Sequence, residues 1–223
     1  MSFPDFRVID NHTISYGLAA IKNVGYKAAE DIAKARSDVT YKTIFDLCTI
    51  ESTAVNKKTL ESLILAGACD QLEGHRAQQY ESIDKVIHFG QLYNKQSNKN
   101  QESLFSSDGV DMEIPIPELA EANEWSSDIC LSKEKELIGF YLSGNPLEPY
   151  LMDLKDFEID DVKGKDSELR LGGLVSSSKI LFDKRNNQWA IITLERISSK
   201  AEVFIFSDLF NKVKDLIHEN KMI

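Results

Sequence analysis

A short turn, Ala20–Gly25, holds the first candidate ligand-binding residues of the sequence, and an apolar helical pattern follows it directly. A tight turn that ends in glycine before a helix leaves the first backbone N–H groups of that helix without intrahelical partners. These groups lie at the positive end of the helix dipole, where a phosphate is a natural ligand. A plain connection between two helices is the alternative interpretation. The predicted phosphate-binding residues are Lys22, Asn23, Val24, Gly25 and Lys27.

A second turn of the same kind joins two further helical patterns. Asn56 is suited to cap the first of these helices, and Gly67 is suited to end it. The two lysines at the start of that helix oppose its dipole, which favours a nearby anion, although a solvated helix face is the alternative. The residues predicted to contact phosphate here are Lys57, Lys58, Gly74 and Arg76.

A third candidate is the peptide Gln101–Phe105, which lies in a polar stretch with a single apolar island. Leu104 and Phe105 have no local core to join, so a partner surface is expected to bury them. A mobile peptide can place two apolar side chains in a pocket while an amide side chain hydrogen-bonds to the rim. The predicted partner-binding residues are Gln101, Ser103, Leu104 and Phe105.

The sequence offers no candidate catalytic residue. Asp160 and Asp161 are adjacent, but no phosphate-binding motif lies near them, and the four histidines have no metal-ligand spacing. Cys48, Cys69 and Cys130 are scattered, so neither a zinc site nor a disulfide framework is predicted. We therefore predict no catalytic residue, no metal site and no cofactor in this chain.

The bulk properties of the 223-residue chain fit one large domain or two modest ones. No apolar run is long enough to cross a membrane, and residues 1–10 are too polar for a signal peptide. The net charge of −10 argues against nucleic acid, but residues 1–80 hold 9 basic and 10 acidic side chains and are nearly neutral. A DNA site there would depend on backbone amides and a few lysines.

Helical periodicity extends from about residue 14 to 95, and the alternation typical of strands begins near residue 168. Between them, residues 94–128 are predicted to be a polar linker, and a helix is predicted from Lys133 to Leu142. Asn186 and Asn187 supply a turn between two strands. The predicted fold class is therefore α+β multidomain, with an all-α domain, a linker and a small β domain.

Three separated segments resemble one protein family. Residues 14–25 and 55–70 closely resemble the tandem helix-hairpin-helix region of the alpha subunit of bacterial DNA polymerase III, and residues 133–147 resemble another signature of that family. In that signature the position of Asn145 is usually histidine. Gln101–Phe105 is similar to the internal clamp-binding peptide of the family, although Glu102 stands where leucine is common, which predicts a weaker contact. Residues from about 168 resemble the start of its OB fold, a small β-barrel that binds single strands.

The resemblance implies a division into five regions. They are the end of a preceding fingers region (1–13), the tandem helix-hairpin-helix DNA-binding domain (14–95), a linker with the clamp-binding peptide (96–130), a connecting helix and loop (131–165) and an OB-like partial β-barrel (166–223). We expect this last domain to be incomplete, because three predicted strands are fewer than the five of a closed OB barrel. Most of its aromatic residues are expected in the core, with base stacking as the alternative: Phe182, Trp189, Phe204 and Phe206.

The predicted function is that of a fragment of the replicative DNA-directed DNA polymerase, in the bacterial cytoplasm. It would bind duplex DNA non-specifically through phosphates and tether the polymerase to the sliding clamp. Single-stranded DNA and other holoenzyme subunits are further expected partners. The clustered aspartates of the family's catalytic palm are missing, so the chain alone is expected to be inactive, and Mg²⁺ is expected only for the parent polymerase. Two alternatives are a stand-alone adaptor that joins DNA to a partner protein and a structural fragment whose hairpins pack against the fingers domain.

The clamp-binding peptide gives a prediction that sequence alone supports. Burying Leu104 and Phe105 contributes about 1.5–3 kcal/mol each before ordering costs, so a micromolar affinity for the sliding clamp is expected. Replacing both residues (Leu104→Ala with Phe105→Ala) should remove most of the binding in a titration of purified clamp. The melting temperature should not change. A double variant that binds the clamp normally contradicts the clamp role, and one that melts several degrees lower places the two side chains in a core.

Overall fold

The computed structural model describes residues 3–36, 40–50, 52, 54–102, 114–155, 170–197 and 199–223. They form two compact units, Met1–Ser143 and Gly144–Ile223; the first is mostly helical and the second is built on a sheet. This arrangement confirms the predicted α+β class. Across these described ranges, no helix has both the length and the apolar character needed to cross a membrane. Nor does any cluster of three or more His, Cys, Asp or Glu side chains there suit a metal ion.

The first unit begins with a small hairpin and continues as helices. Strand β1 (Arg7–Val8) pairs antiparallel with β2 (Ile14–Ser15). Short 3-10 helices follow at Leu18–Ala20 and Ile44–Cys48. The α-helices are α1 (Tyr26–Ala35), α2 (Lys57–Leu65), α3 (Arg76–Glu81), α4 (Ile83–Glu102) and α5 (Ser127–Ile138).

Capping side chains determine where several of these elements begin and end. The three-residue spacing of Thr43 and Asp46 is typical of a capping box, and they form one, with the Thr43 N–H donating to the Asp46 carboxylate at 2.8 Å. Asn56 accepts a hydrogen bond from the Thr59 N–H at 3.1 Å and so caps α2 as predicted. Gly67 ends the α2 region with φ +77°, a conformation that favours glycine.

The core of the first unit collects the apolar faces of its helices around α2. Leu60, Leu63 and Ile64 of α2 are at most 2% exposed, and α2 packs against α3, α4 and α5. Because burial of each such side chain contributes about 1.5–3 kcal/mol, this shared core stabilises the whole helical unit. Its other buried members include Leu18, Ile21, Val24, Ala29, Ile32, Ile44, Phe45, Val86, Phe89 and Leu137.

The end of α4 differs from the predicted linker. The polar stretch from Asn94 shows no apolar periodicity and was expected to be irregular, yet α4 continues to Glu102. Its first turns are anchored in the core by Ile83, Val86 and Phe89. Extending an existing helix by one residue adds a hydrogen bond without a new nucleation cost, which explains why polar residues can continue it.

Helix α5 also has other bounds than the sequence predicts. It begins at Ser127, six residues before the predicted Lys133, and it ends at Ile138, four residues before the predicted Leu142, with Gly139 as its C-cap. Gly139 has φ +95° and its N–H donates to the Lys135 carbonyl, which closes the last turn. The residues from 127 to 130 therefore belong to α5, and the irregular segment before it runs through residues 114–126.

The second unit is a three-stranded antiparallel sheet followed by a helix. Its strands are β3 (Leu174–Phe182), β4 (Gln188–Glu195) and β5 (Lys200–Ile205), in that spatial order, with helix α6 (Leu151–Lys155) before them and α7 (Ser207–Val213) after them. The predicted turn is present, with Asn186 at φ 64° and the Asp183 carboxylate accepting from the Asn187 N–H at 2.7 Å. One sheet face packs on Phe210 and Ile217 to form a small core with Val175, Ala190, Ile192, Leu194 and Ile205.

The expectation that most aromatic residues of the second unit lie in its core is wrong. Phe182, Phe204 and Phe206 are 60%, 51% and 69% exposed, and Trp189 is half-buried. The core face of β4 carries Ala190, Ile192 and Leu194 instead. Since successive residues of a strand point to opposite faces, alternation alone could not tell which face would be covered.

Gly90 allows α4 to lie directly against the 3-10 helix that ends at Cys48. A Cβ at this position would lie 2.7 Å from the Cys48 Cβ and 2.8 Å from its carbonyl oxygen. We expect Gly90→Ala to lower the melting temperature, because overpacking costs about 1–3 kcal/mol. That cost exceeds the roughly 1 kcal/mol gained in helix propensity.

The control for this prediction is Gln91→Ala, a change at the next, exposed position of α4. It alters helix propensity only slightly and meets no neighbouring backbone, so its melting temperature should match that of the parent chain. Thermal melts followed by circular dichroism measure both. If Gly90→Ala stabilises the chain, the close approach of α4 to Cys48 is wrong.

Candidate nucleic-acid interface

The first predicted turn has the geometry of a tight connection with an outward-facing tip. Ile21 and Val24 are buried at 4% and 5% exposure, and the Val24 N–H donates to the Ile21 carbonyl at 3.0 Å. Asn23 adopts φ 67°, the left-handed conformation that asparagine tolerates better than most residues. The two apolar side chains therefore anchor the turn, while Lys22, Asn23 and Gly25 remain exposed.

Backbone N–H groups at the start of α1 are open to a ligand. Gly25 is the N-cap residue and makes no side-chain capping bond, and the Ala29 N–H is the first to donate within the helix, to the Gly25 carbonyl at 3.1 Å. The N–H groups of the three helical residues before Ala29 have no intrahelical acceptor. A Cβ built on Gly25 would meet no heavy atom within 4 Å, so the space above this turn is empty.

Helix α2 lies beside the same turn. The Asn23 side-chain amide donates to the Ser62 hydroxyl at 3.3 Å. Lys58 precedes Ser62 by four residues, so the two lie on neighbouring positions of one helix face. Lys58 is exposed and lies 3.8 Å from Glu61. Lys22 makes no ion pair with any described residue, which leaves its ammonium group available.

Lys27 and Lys57 have closer carboxylate partners than Lys58. Lys27 pairs with Asp31 at 2.7 Å, and the hydrogen bond between them raises the pKa of the Lys27 ammonium. Lys57 pairs with Asp84 at 2.5 Å, and that hydrogen bond likewise raises the pKa of Lys57. Both lysines stay charged at neutral pH, but each would have to exchange a carboxylate for a phosphate before it could bind DNA.

The second turn is less open than the first. His75 caps α3 by accepting the Gln78 N–H on Nδ1 at 3.3 Å, so one of the first N–H groups of this helix is satisfied internally. Gly74 has φ +81°, and a Cβ there would collide with the Leu119 side chain, which covers it. The structure therefore leaves less room for a phosphate near Gly74 than near Gly25.

Arg76 has a different role from the predicted phosphate contact. Its side chain is 9% exposed and makes a two-pronged ion pair with Asp70, with Nε and Nη2 at 2.7 and 2.5 Å from the carboxylate oxygens. Nη2 also lies 2.8 Å from Glu134 of α5. Arg76 is thus held between two carboxylates inside the first unit and does not face solvent.

Glu134 is a buried carboxylate that sequence reasoning missed. Burial alone would raise the pKa of Glu134, but hydrogen bonds from Ser143, Arg76 and Leu142 hold that pKa below its ordinary value. The backbone N–H groups of Leu142 and Ser143 each donate to it at 3.0 Å. Its partner Arg76 lies 58 residues away in sequence, so no local spacing could have signalled the pair.

The predicted clamp-binding peptide lies largely beyond the described residues. Gln101 and Glu102 form the last residues of α4, whereas Ser103, Leu104 and Phe105 fall outside the described ranges.

In the second unit, three aromatic side chains lie together on one face of the sheet. The Trp189 ring lies 6.5 Å from that of Phe204 and 6.3 Å from that of Phe206, with interplanar angles of 18° and 22°.

Residues 1–79 match a family model described as a helix-hairpin-helix motif, and this range contains both turns. Nearly the whole chain is also similar to proteins named DNA polymerase III subunit alpha. It is 31% identical to that of Vibrio cholerae and 30% identical to that of Escherichia coli, each over 98% of the chain, and 32% identical to that of Neisseria meningitidis over 99%. The chain spans about a fifth of the length of these curated relatives.

Proposed function

The chain belongs with the alpha subunits of bacterial DNA polymerase III, and we propose that it is a segment that binds duplex DNA without sequence preference. The observation that carries the proposal is the uncapped and uncovered helix start after Gly25. Free N–H groups at the positive end of a helix suit a phosphate oxygen. Phosphates are identical at every nucleotide, so such contacts position DNA without reading its bases.

The binding should be weak and sensitive to salt. The described lysines near the turn are few, and three of them, Lys27, Lys57 and Lys58, are paired with carboxylates. We propose roughly two to four phosphate contacts, for which the logarithm of affinity falls with that of salt at a slope of about −2 to −4. The net charge of −10 lowers the affinity further through general repulsion.

Clamp tethering is the second part of the proposed function. The sequence Gln101–Phe105 supports it through one amide and two adjacent apolar side chains, which suit a pocket on a partner. We propose that this peptide binds the sliding clamp, so that the DNA-binding turn and the clamp hold the same duplex. Simultaneous binding raises the effective concentration of each contact, which offsets the weakness of either alone.

Single-stranded DNA is proposed as the ligand of the second unit, whose sheet would be part of an OB-like domain. The exposed rings of Phe204 and Phe206 beside Trp189 support this, because bases of any sequence can stack on aromatic side chains. We propose that the chain works within a replicative polymerase in the bacterial cytoplasm, together with the other holoenzyme subunits. Nucleotide transfer and its Mg²⁺ ions belong, in this proposal, to parts of the polymerase that the chain does not include.

A stand-alone adaptor between DNA and a partner protein is the competing function. The adaptor and the polymerase segment predict different lengths for the native protein in the cell. Mass spectrometry of the native protein distinguishes them, because a polymerase subunit should be several times longer than 223 residues, whereas an adaptor should have about this length. The similarity to about a fifth of each relative favours the polymerase subunit.

The duplex proposal predicts the effect of one charge reversal. Lys22→Glu should weaken binding of every duplex sequence equally and should make the salt slope shallower by about 0.9, because one phosphate contact is lost. Lys58→Glu should act in the same direction. Fluorescence anisotropy with labelled duplexes of two unrelated sequences, at several salt concentrations, measures both quantities.

Lys34→Glu is the matched control for Lys22→Glu. It makes the same change in net charge, but Lys34 lies in the last turn of α1, at the end away from the turn. This variant should bind duplex DNA nearly as the parent chain does. Equal losses from both variants would mean that only net charge matters, and the turn would then not be the binding site.

The single-strand proposal predicts a loss of binding when two rings are removed. Phe204→Ala with Phe206→Ala should weaken binding of a labelled oligothymidine by about 1–3 kcal/mol for each base that stacks. Leu209→Ala with Leu216→Ala is the control, since both leucines are 54% exposed and neither offers a ring. If the two double variants bind alike, the aromatic group does not hold single strands.

A further inference from the structure

A single buried carboxylate joins three segments of the first unit. Glu134 is 1% exposed. One oxygen accepts from Arg76 Nη2 at 2.8 Å, and the other accepts from the N–H groups of Leu142 and Ser143 at 3.0 Å each. Through these bonds it links α3, α5 and the loop after α5. A buried charge is costly to desolvate, so the net stabilisation from such a carboxylate is small, and in some proteins its role is to fix one arrangement.

The first turn is attached to the same helix. The Lys22 N–H donates to the Leu137 carbonyl at 3.0 Å, and Leu137 lies three residues after Glu134 on α5. That carbonyl belongs to the residue before the last of α5, where helix carbonyls lack an intrahelical donor. The backbone of the turn is therefore held on the end of α5, while the Asn23 amide holds it to Ser62 of α2.

The second turn is attached to α5 through Arg76. The guanidinium group lies so close to Gly67 that a Cβ there would collide with it, and it binds Asp70 in the same turn. Glu134 on α5 binds Nη2 of the same guanidinium, whereas Nη1 is buried and has no hydrogen-bond partner among the described residues. Both turns are thus fixed to one helix, the first through a backbone carbonyl and the second through an ion pair.

We propose that Glu134 is a positioning residue for the DNA-binding turn. It holds α5 against α3 and against its own following loop, and α5 in turn presents the Leu137 carbonyl that fixes Lys22. The inference rests on the proposed duplex binding for its functional consequence. A turn that is already ordered before DNA arrives loses less conformational entropy on binding, so its affinity is higher.

A direct role of Arg76 in binding phosphate predicts the opposite result. Removing the charge of Glu134 would release Arg76 from one of its carboxylates, and a phosphate-binding arginine would then bind DNA more tightly. Positioning predicts weaker binding from the same change. The direction of the effect of Glu134→Gln therefore separates the two roles.

The test compares Glu134→Gln with Glu136→Gln in the full chain. Both remove one negative charge from α5, but Glu136 is 60% exposed and pairs only with Lys133 at 3.3 Å among the contacts described. We expect Glu134→Gln to weaken duplex binding roughly threefold to tenfold, which lies in the lower part of the range for coupled neighbouring groups. The salt slope should stay unchanged, because no phosphate contact is removed. Glu136→Gln should bind as tightly as the parent chain or slightly more tightly.

Amide hydrogen exchange supplies a measurement that does not need DNA. In Glu134→Gln the N–H groups of Lys22, Leu142 and Ser143 should exchange at least about tenfold faster, while the amides of α2 keep their protection. A general loss of stability would instead speed exchange in α2 as well. If Glu134→Gln does not fold, the double variant Arg76→Gln with Glu134→Gln, which removes both charges of the pair, is measured in its place.

The outcomes distinguish the inference from the proposed function. If the parent chain fails to bind duplex DNA, the proposed function is wrong, and the exchange of Lys22 still decides whether Glu134 positions the turn. If the parent chain binds DNA but Glu134→Gln changes neither affinity nor exchange, Glu134 is not a positioning residue and duplex binding stands. Tighter binding by Glu134→Gln with unchanged exchange would overturn positioning in favour of a direct role for Arg76.

Discussion

The first unit depends on one constraint, which is that three of its helices are too short to be stable without a shared core. Helices α1, α2 and α3 have 10, 9 and 6 residues, whereas isolated helices in water are marginal below about 12–15 residues. Small side chains at the contacts, including Ala28, Ala29 and Ser62, are at most 2% exposed and let the backbones approach closely. The shape of the turn between Lys22 and Gly25 is therefore fixed by the packing of the core around α2.

Local signals were sufficient for part of this fold. Some signals act over only a few residues: the capping residues Thr43 and Asn56, the glycine at 67 and the turn at Asn186. Their positions in the sequence therefore predicted where the neighbouring helices and strands begin or end. The turn before α1 was predicted for the same reason, since a glycine followed by a helical pattern suffices to describe it.

Other features depend on contacts between distant residues, and the sequence alone could not reveal them. The partner of Arg76 on α5 is 58 residues away, which is why a phosphate contact was predicted for a side chain that is held internally. The length of α4 follows from a nucleus packed in the core, and its polar end carries no periodic signal. The exposure of Phe204 and Phe206 depends on which sheet face α7 covers, and alternation is the same for either face.

Under the proposed duplex binding, the open helix start at Gly25 would have a consequence for movement along DNA. Backbone amides carry no ionisable proton at physiological pH, and they meet the same chemical group at each step of a sugar–phosphate chain. A contact made through them would have nearly equal energy at successive nucleotides, so the barrier between neighbouring positions would be low. A surface that uses main-chain donors with few lysines would thus stay bound to a duplex while moving along it.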